Sequence, residues 1–127
     1  MSLYESAEMY LETIYQLSHA SPAVRSIDVA QAMGYSRPSV SRAVNLLKKD
    51  GYLEMDADGF LVLTDAGREI ARKIFDRHTV LTEALVRLGV DRETAAEDAC
   101  RIEHVISDRS FETIKAHLQR YGTAEEA

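Results

Sequence analysis

Near the end of the chain, EDACRIEHVISD spans residues 97–108, with Cys100, Glu103 and His104 three and four positions apart. On a helix that spacing puts a thiol, a carboxylate and an imidazole on one face. All three are metal ligands, the thiolate suited to softer ions and the carboxylate to harder ones. The ordinary alternative is a small buried cysteine beside a glutamate–histidine pair on an amphipathic helix. Glu97 shares that face one turn away, as a supporting or solvated group. Met9 and Glu12, three apart near the start, offer a thioether and a second carboxylate, although a methionine at helical spacing is usually core. His78, in FDRHTVL, lies midway along a long helical pattern, where a single histidine is more often a structural hydrogen-bonder than a ligand.

The elements that must position these groups follow from periodicity and punctuation. Leu3, Ala7, Tyr10, Leu11, Ile14, Tyr15 and Leu17 recur at helical spacing from Tyr4 to about Ser18, and Ser21-Pro22 ends the run. Ser26 is the expected N-cap of a short helix, IDVAQAMG, which Gly34 stops. Ser36 caps a second helix with Pro38 in its first turn, Val40, Ala43, Val44 and Leu47 on its inner face, and Gly51 at its end. Tyr52–Met55 and Phe60–Leu63 flank Asp56-Ala57-Asp58-Gly59, a hairpin signal. Thr64 caps a long helix from Asp65 to about Leu88, broken at Gly89. Asp91 caps the helix that carries the opening motif, and Ser107 or Asp108 caps a last one reaching Tyr121-Gly122. The tail TAEEA is expected to fray.

A chain of 127 residues with 46% hydrophobic and 28% charged residues suits one soluble unit, or two small domains sharing a long helix. We read residues 1–64 as one domain and 65–127 as the other. Glutamates interrupt the apolar start, so it is no signal peptide, and no stretch is apolar enough to span a membrane. A single cysteine rules out an internal disulfide framework and suits a reducing cytoplasm.

The net charge of -6 argues against nucleic acid as a partner, but its distribution does not. Between Ser21 and Lys49 stand Arg25, Arg37, Arg42, Lys48 and Lys49 against Asp28 alone, whereas acids outnumber bases from Asp91 onward. Helix, short helix, Gly-containing turn, longer helix and hairpin is the outline of a winged helix-turn-helix. The fold class expected is therefore mainly α: an N-terminal winged helix-turn-helix, then a helical domain. Its recognition helix would present Ser36, Arg37, Pro38, Ser39 and Arg42 to base edges and phosphates of double-stranded DNA. The DADG wing tip is acidic and a poor minor-groove probe. A protein-interaction role, with these arginines merely solvated, is the plainer reading of the same module.

The stretches SAEMYLETIYQL, SRPSVSRAVNLLKKDGYL, LVLTDAGREIARKIFDRH and EDACRIEHVISD together resemble the diphtheria toxin repressor family, metal-dependent regulators that include the iron-dependent repressors and manganese transport regulators. The resemblance runs from about residue 6 to residue 121. It implies a cytoplasmic homodimer on a palindromic operator, with a helical metal-binding and dimerisation domain and a divalent ion as co-repressor of metal-uptake genes. It also implies that Met9, Cys100, Glu103 and His104 correspond to the primary site of the iron-responsive branch. Glu12 and His78 correspond to ligand positions of the manganese branch. The iron branch's ancillary site also needs a glutamate and a histidine where this chain has Thr82 and Ala96, so that site is expected to be absent or rebuilt. The SH3-like domain of long members is expected to be missing, as in the short manganese regulators.

Sulfur, oxygen and nitrogen donors together favour Fe²⁺ over Mn²⁺, while Co²⁺, Ni²⁺ or Zn²⁺ would also bind in vitro. Glu12 and His78 either hold a second ion, bridged by Glu103, or support the first through hydrogen bonds. Ile74, Leu81, Leu85 and Ile102 are candidates for the dimer surface. A transcription factor sensing oxidants through Cys100 is the alternative function. Hydrolytic catalysis has no recognisable substrate cleft.

Overall fold

Residues 5–121 are described by the structure, a computed structural model; Leu3, Tyr4 and the TAEEA tail lie outside them. The described elements are α1 (Glu5–Ala20), α2 (Ser26–Met33), α3 (Arg37–Lys49), β1 (Leu53–Met55), β2 (Leu61–Leu63), α4 (Asp65–Arg87), α5 (Arg92–Ile102) and α6 (Asp108–Tyr121). The fold is mainly α, with a small hairpin between α3 and α4, as the patterning predicts. Two compact units divide between Lys73 and Ile74, a boundary inside α4. No described helix is long and apolar enough to cross a membrane.

In the first unit, the inner stripes of α1, α2 and α3 meet at Leu11, Ile14, Val29, Val40, Val44 and Leu47, and Leu53, Leu61 and Leu63 of the hairpin close the same core. Each such side chain contributes roughly 1.5–3 kcal/mol on burial. Gly34 ends α2 in the left-handed region at φ 71°, which only glycine enters without cost. Ser36 caps α3 by accepting the Ser39 N–H at 3.3 Å. The start of α2 differs from expectation. Arg25, not Ser26, is the cap residue, and the Asp28 carboxylate accepts the Arg25 N–H at 2.9 Å. An acid three residues inside a helix can reach back to the cap N–H, and here it does so without a serine at the cap.

The hairpin pairs Leu53 with Leu63, Glu54 with Val62 and Met55 with Leu61. Its turn is held by Asp56, whose Oδ1 accepts the N–H groups of Asp58 and Phe60, each at 2.9 Å. Leu61 donates its N–H to the Val24 carbonyl at 2.7 Å, and the Arg25 guanidinium lies 4.7 Å from the centre of the Phe60 ring. The wing is thereby fixed to the segment before α2. The start of α4 is fixed to the other end of β1: the Thr64 hydroxyl donates to the Gly51 carbonyl at 2.7 Å and accepts the Gly67 N–H at 3.1 Å.

In the second unit, Val80, Leu81, Ala99 and Phe111 join α4, α5 and α6. Asp91 caps α5 by accepting the Thr94 N–H at 3.0 Å, and Ser107 caps α6 by accepting the Ser110 N–H at 3.1 Å. Of the four residues assigned to a dimer surface, Ile74 and Leu81 are buried within the chain, leaving Leu85 and Ile102 half-buried.

Two outcomes follow. A Cβ at Gly67 would lie 2.0 Å from the Tyr52 carbonyl oxygen. Helix propensity alone predicts a gain of up to ~1 kcal/mol for Gly67→Ala. The clash should reverse that sign and cost about 1–3 kcal/mol, read as a lower urea midpoint; a raised midpoint would refute the packing. The second concerns Asp91, whose bond from the Thr94 N–H holds its carboxyl below the usual carboxylate range. Its contribution is complete above the unfolded carboxyl's pKa and is lost as pH falls through the lowered folded value. Asp91→Asn keeps a capping oxygen that does not titrate. It should flatten the acid limb of stability against pH while leaving neutral stability near wild type.

Candidate metal centre and nucleic-acid interface

The helix bearing the opening motif stops earlier than the spacing suggests. Helical structure ends at Ile102, Glu103 is its C-cap, and His104 stands in the turn that follows. Cys100 is half-buried on the last turn of α5, and Glu97 is exposed one turn before it. Glu103 keeps right-handed helical backbone angles and its N–H bond to the Ala99 carbonyl, and its side chain is fully buried.

Glu103 is held at both ends by α4. Its carboxylate Oε2 is 3.0 Å from His78 Nδ1. A carboxylate only accepts, so Nδ1 carries the proton and donates. Its backbone carbonyl accepts from Arg77 Nη1 at 3.1 Å. The same nitrogen donates to the Ile106 carbonyl at 2.8 Å, and Arg77 Nη2 bonds the Asp108 carboxylate. The structure thus joins His78, Glu103 and His104 of the predicted set and adds Arg77, which sequence reasoning missed. The signal was present: Arg77 stands on the apolar stripe of α4, between Ile74 and Leu81, where a cation needs buried acceptors.

The remaining carboxylate oxygen, Glu103 Oε1, is buried and accepts no hydrogen bond from any described residue. It lies 3.5 Å from His104 Nε2, and the His104 side chain is also fully buried. Two ligands bound at ~2.1 Å to one ion, at tetrahedral or octahedral angles, are themselves roughly 3.0–3.5 Å apart. The carboxylate–imidazole pair therefore fits a divalent cation in donor type and separation. Thr82, which stands where the resemblance implies a glutamate, donates its hydroxyl to the His78 carbonyl at 2.7 Å.

On α1, Met9 is half-buried and Glu12 buried. One turn on, the Gln16 amide donates to Glu12 Oε2 at 3.4 Å. Met9 and Glu12 belong to the first unit; Cys100, His78, Glu103 and His104 belong to the second.

At the start of α3, Ser36, Arg37, Pro38 and Arg42 are exposed and Ser39 half-buried. The Ser39 hydroxyl accepts from the Ser36 hydroxyl at 2.9 Å and from Arg42 Nη2 at 3.4 Å. Arg42 is thus drawn toward the helix N-terminus, and Arg37 at the first helical position is a second, exposed cation. Tyr35, just before the cap, is 46% exposed, its ring 6.0 Å from that of Tyr10 on α1. Burial, then the neighbouring Tyr35, raises the Tyr10 phenol above its ordinary pKa, which keeps this support uncharged.

Residues 2–60 match the family model described as iron dependent repressor, N-terminal DNA binding domain. Residues 64–125 match the one described as iron dependent repressor, metal binding and dimerisation domain. The chain is 37% identical over 116 residues to the HTH-type transcriptional regulator MntR of Bacillus subtilis, covering 91% of this chain and 82% of that one. It is 35% identical over 107 residues to the iron-dependent repressor IdeR of Mycobacterium tuberculosis, covering 84% of this chain but only 46% of IdeR. A solved manganese-dependent transcriptional repressor in complex with manganese has a TM-score of 0.82 and 30% identity, covering 89% of this chain and 52% of that one. The chain thus spans most of MntR and about half the length of IdeR. On both its DNA-binding and its metal-binding halves, it belongs to the diphtheria toxin repressor family of metal-dependent transcriptional regulators.

Proposed function

We propose that this regulator represses genes for metal uptake, with Fe²⁺ rather than Mn²⁺ as its natural co-repressor. The observation that carries the metal reading is the buried Glu103 Oε1, which accepts no hydrogen bond among the described residues and lies 3.5 Å from His104 Nε2. Met9, Cys100, Glu103 and His104 are the proposed primary ligands. Thioether and thiolate in that set favour iron over manganese, which prefers all-oxygen and imidazole sites. His78, its Nδ1 proton committed to Glu103, acts first as the group that orients that carboxylate. Glu12 is the remaining candidate for a direct contact.

A divalent ion held by this set would supply positive charge and Lewis acidity, and would act as the co-repressor. Each homodimer then presents its two α3 helices at a separation matching one turn of DNA, about 34 Å, or a multiple of it. When the separation varies, operator affinity falls with the fraction of dimers that fit. By linkage, the operator tightens metal binding by the same factor. A second copy of the chain is proposed to cover an apolar groove of 610 Å³ on the second unit, bordered by Leu85, Leu88, Ile102, Ile106 and Leu118. Leu88 is 81% exposed there, and leaving such a row in water is unfavourable.

Selection from a random DNA pool under anaerobic conditions tests the proposal, with apo protein, Fe²⁺ or Mn²⁺, for wild type and Cys100→Ala. A palindrome enriched only with metal, and lost in the variant, is expected. Enrichment independent of metal would sink the metal-gated reading and return attention to Cys100 oxidation. Comparing the ions at cell-like free concentrations decides between iron and manganese. With the operator in hand, Arg42→Ala should cost about 1–3 kcal/mol and relax preference at one base pair. Lys48→Ala should weaken all sequences alike and lower the salt slope by about one.

A further inference from the structure

We infer that Arg77 is a positioning residue for the metal centre, presetting the turn that carries Glu103 and His104 before any ion arrives. This inference rests on the proposal that Glu103 and His104 hold the ion. The Arg77 side chain is 8% exposed, and its guanidinium lies 5.4 Å from the centre of the Phe111 ring. Its contacts reach across the turn: Nη1 donates to the carbonyls of Glu103 and Ile106, and Nη2 bonds Asp108 at the start of α6. Those acceptors bracket His104. Nε is buried and has no acceptor among the described residues, so the group meets a desolvation cost for the contacts it does make.

The placement explains why an arginine stands there. Glu103, the C-cap of α5, lies where unpaired helix carbonyls concentrate partial negative charge, which a cation offsets. A planar fork with two nitrogens can serve two carbonyls and a carboxylate together. A lysine has one nitrogen and cannot hold the same three in one geometry. With Arg77 holding the Glu103 backbone and His78 holding its side chain, adjacent residues of α4 fix one residue at both ends. Groups that orient ligands in this way commonly change metal affinity about ten- to hundredfold when replaced.

The test uses the full chain and Co²⁺ alone, comparing wild type with Arg77→Lys, Asp108→Asn, Asp76→Asn and Glu103→Gln. Asp76→Asn breaks a second α4–α6 ion pair among the described residues, Lys115 to Asp76 at 2.8 Å, without touching the turn. In conditions where each protein is folded, Arg77→Lys should weaken Co²⁺ binding about ten- to hundredfold, and Asp76→Asn should leave it unchanged. In the apo protein, Arg77→Lys should speed amide exchange at Val105 and Ile106, which bond the Ile102 carbonyl, more than elsewhere in α4 or α5. Equal losses in Arg77→Lys and Asp76→Asn would reduce Arg77 to general helix packing and overturn the inference. Wild-type affinity in Arg77→Lys, with binding lost in Glu103→Gln, would overturn it while sparing the metal reading. Wild-type affinity in Glu103→Gln would overturn both. Should Arg77→Lys fail to fold, Asp108→Asn decides. That variant removes an exposed acceptor and keeps the arginine, and slower turn exchange or undiminished affinity would count against the role.

Discussion

A fully buried carboxylate with one oxygen hydrogen-bonded and the other accepting no hydrogen bond among the described residues is the constraint around which the second unit is arranged. Removing a charged oxygen from water costs several kcal/mol unless something replaces the lost hydration. For Glu103, His78 replaces it on one side only. The fold could have lowered that cost by ending α5 one residue earlier and leaving the acid in solvent. Instead the helix stops at Ile102, and Arg77 collects the carbonyls on either side of His104. On the proposed function a divalent cation would remove that penalty, because it can satisfy carboxylate oxygen and imidazole nitrogen together.

Much of the scaffold was legible because its stop and start signals are local. Ser36, Thr64, Asp91 and Ser107 each accept the N–H three residues on, and a cap needs nothing beyond its own turn. Gly34, with its left-handed backbone, was equally plain. The DG step located the hairpin, and the structure adds that Asp56 holds the turn from the other side. Where a cap depends on a side chain reaching backward, as Asp28 does to the Arg25 N–H, reading forward from Ser26 found the wrong residue.

The site was less legible, for a different physical reason. Cys100, Glu103 and His104 were singled out by residue type and spacing, but regular helix ends at Ile102, with Glu103 as its cap and His104 in the turn beyond. Intrinsic propensity does not end a helix at Ile102, since Glu103 and His104 tolerate helix well. Just beyond that end, the Arg77 guanidinium takes the carbonyls of Glu103 and Ile106. Such a contact spans twenty-six residues of sequence, and no local pattern announces it. The indirect sign was a cation and a histidine, Arg77 and His78, together on the stripe that Ile74 and Leu81 mark as buried.

Thr82 bears on how many ions such a centre can hold. Its hydroxyl is committed to the His78 carbonyl one turn back, which is the usual fate of a buried threonine in a helix. It is therefore spent on the backbone of the residue that supports Glu103, and a neutral hydroxyl is in any case a weak donor to a divalent ion beside carboxylate and imidazole. Ala96, on α5, carries no donor at all. A second ion would have to draw on His78, whose Nδ1 is already engaged, and on acids elsewhere in the chain. On the proposed reading, Thr82 and Ala96 add no strong donor beside Glu103 and His104. The affinity of such a centre would then depend on how rigidly the single turn carrying Glu103 and His104 is held.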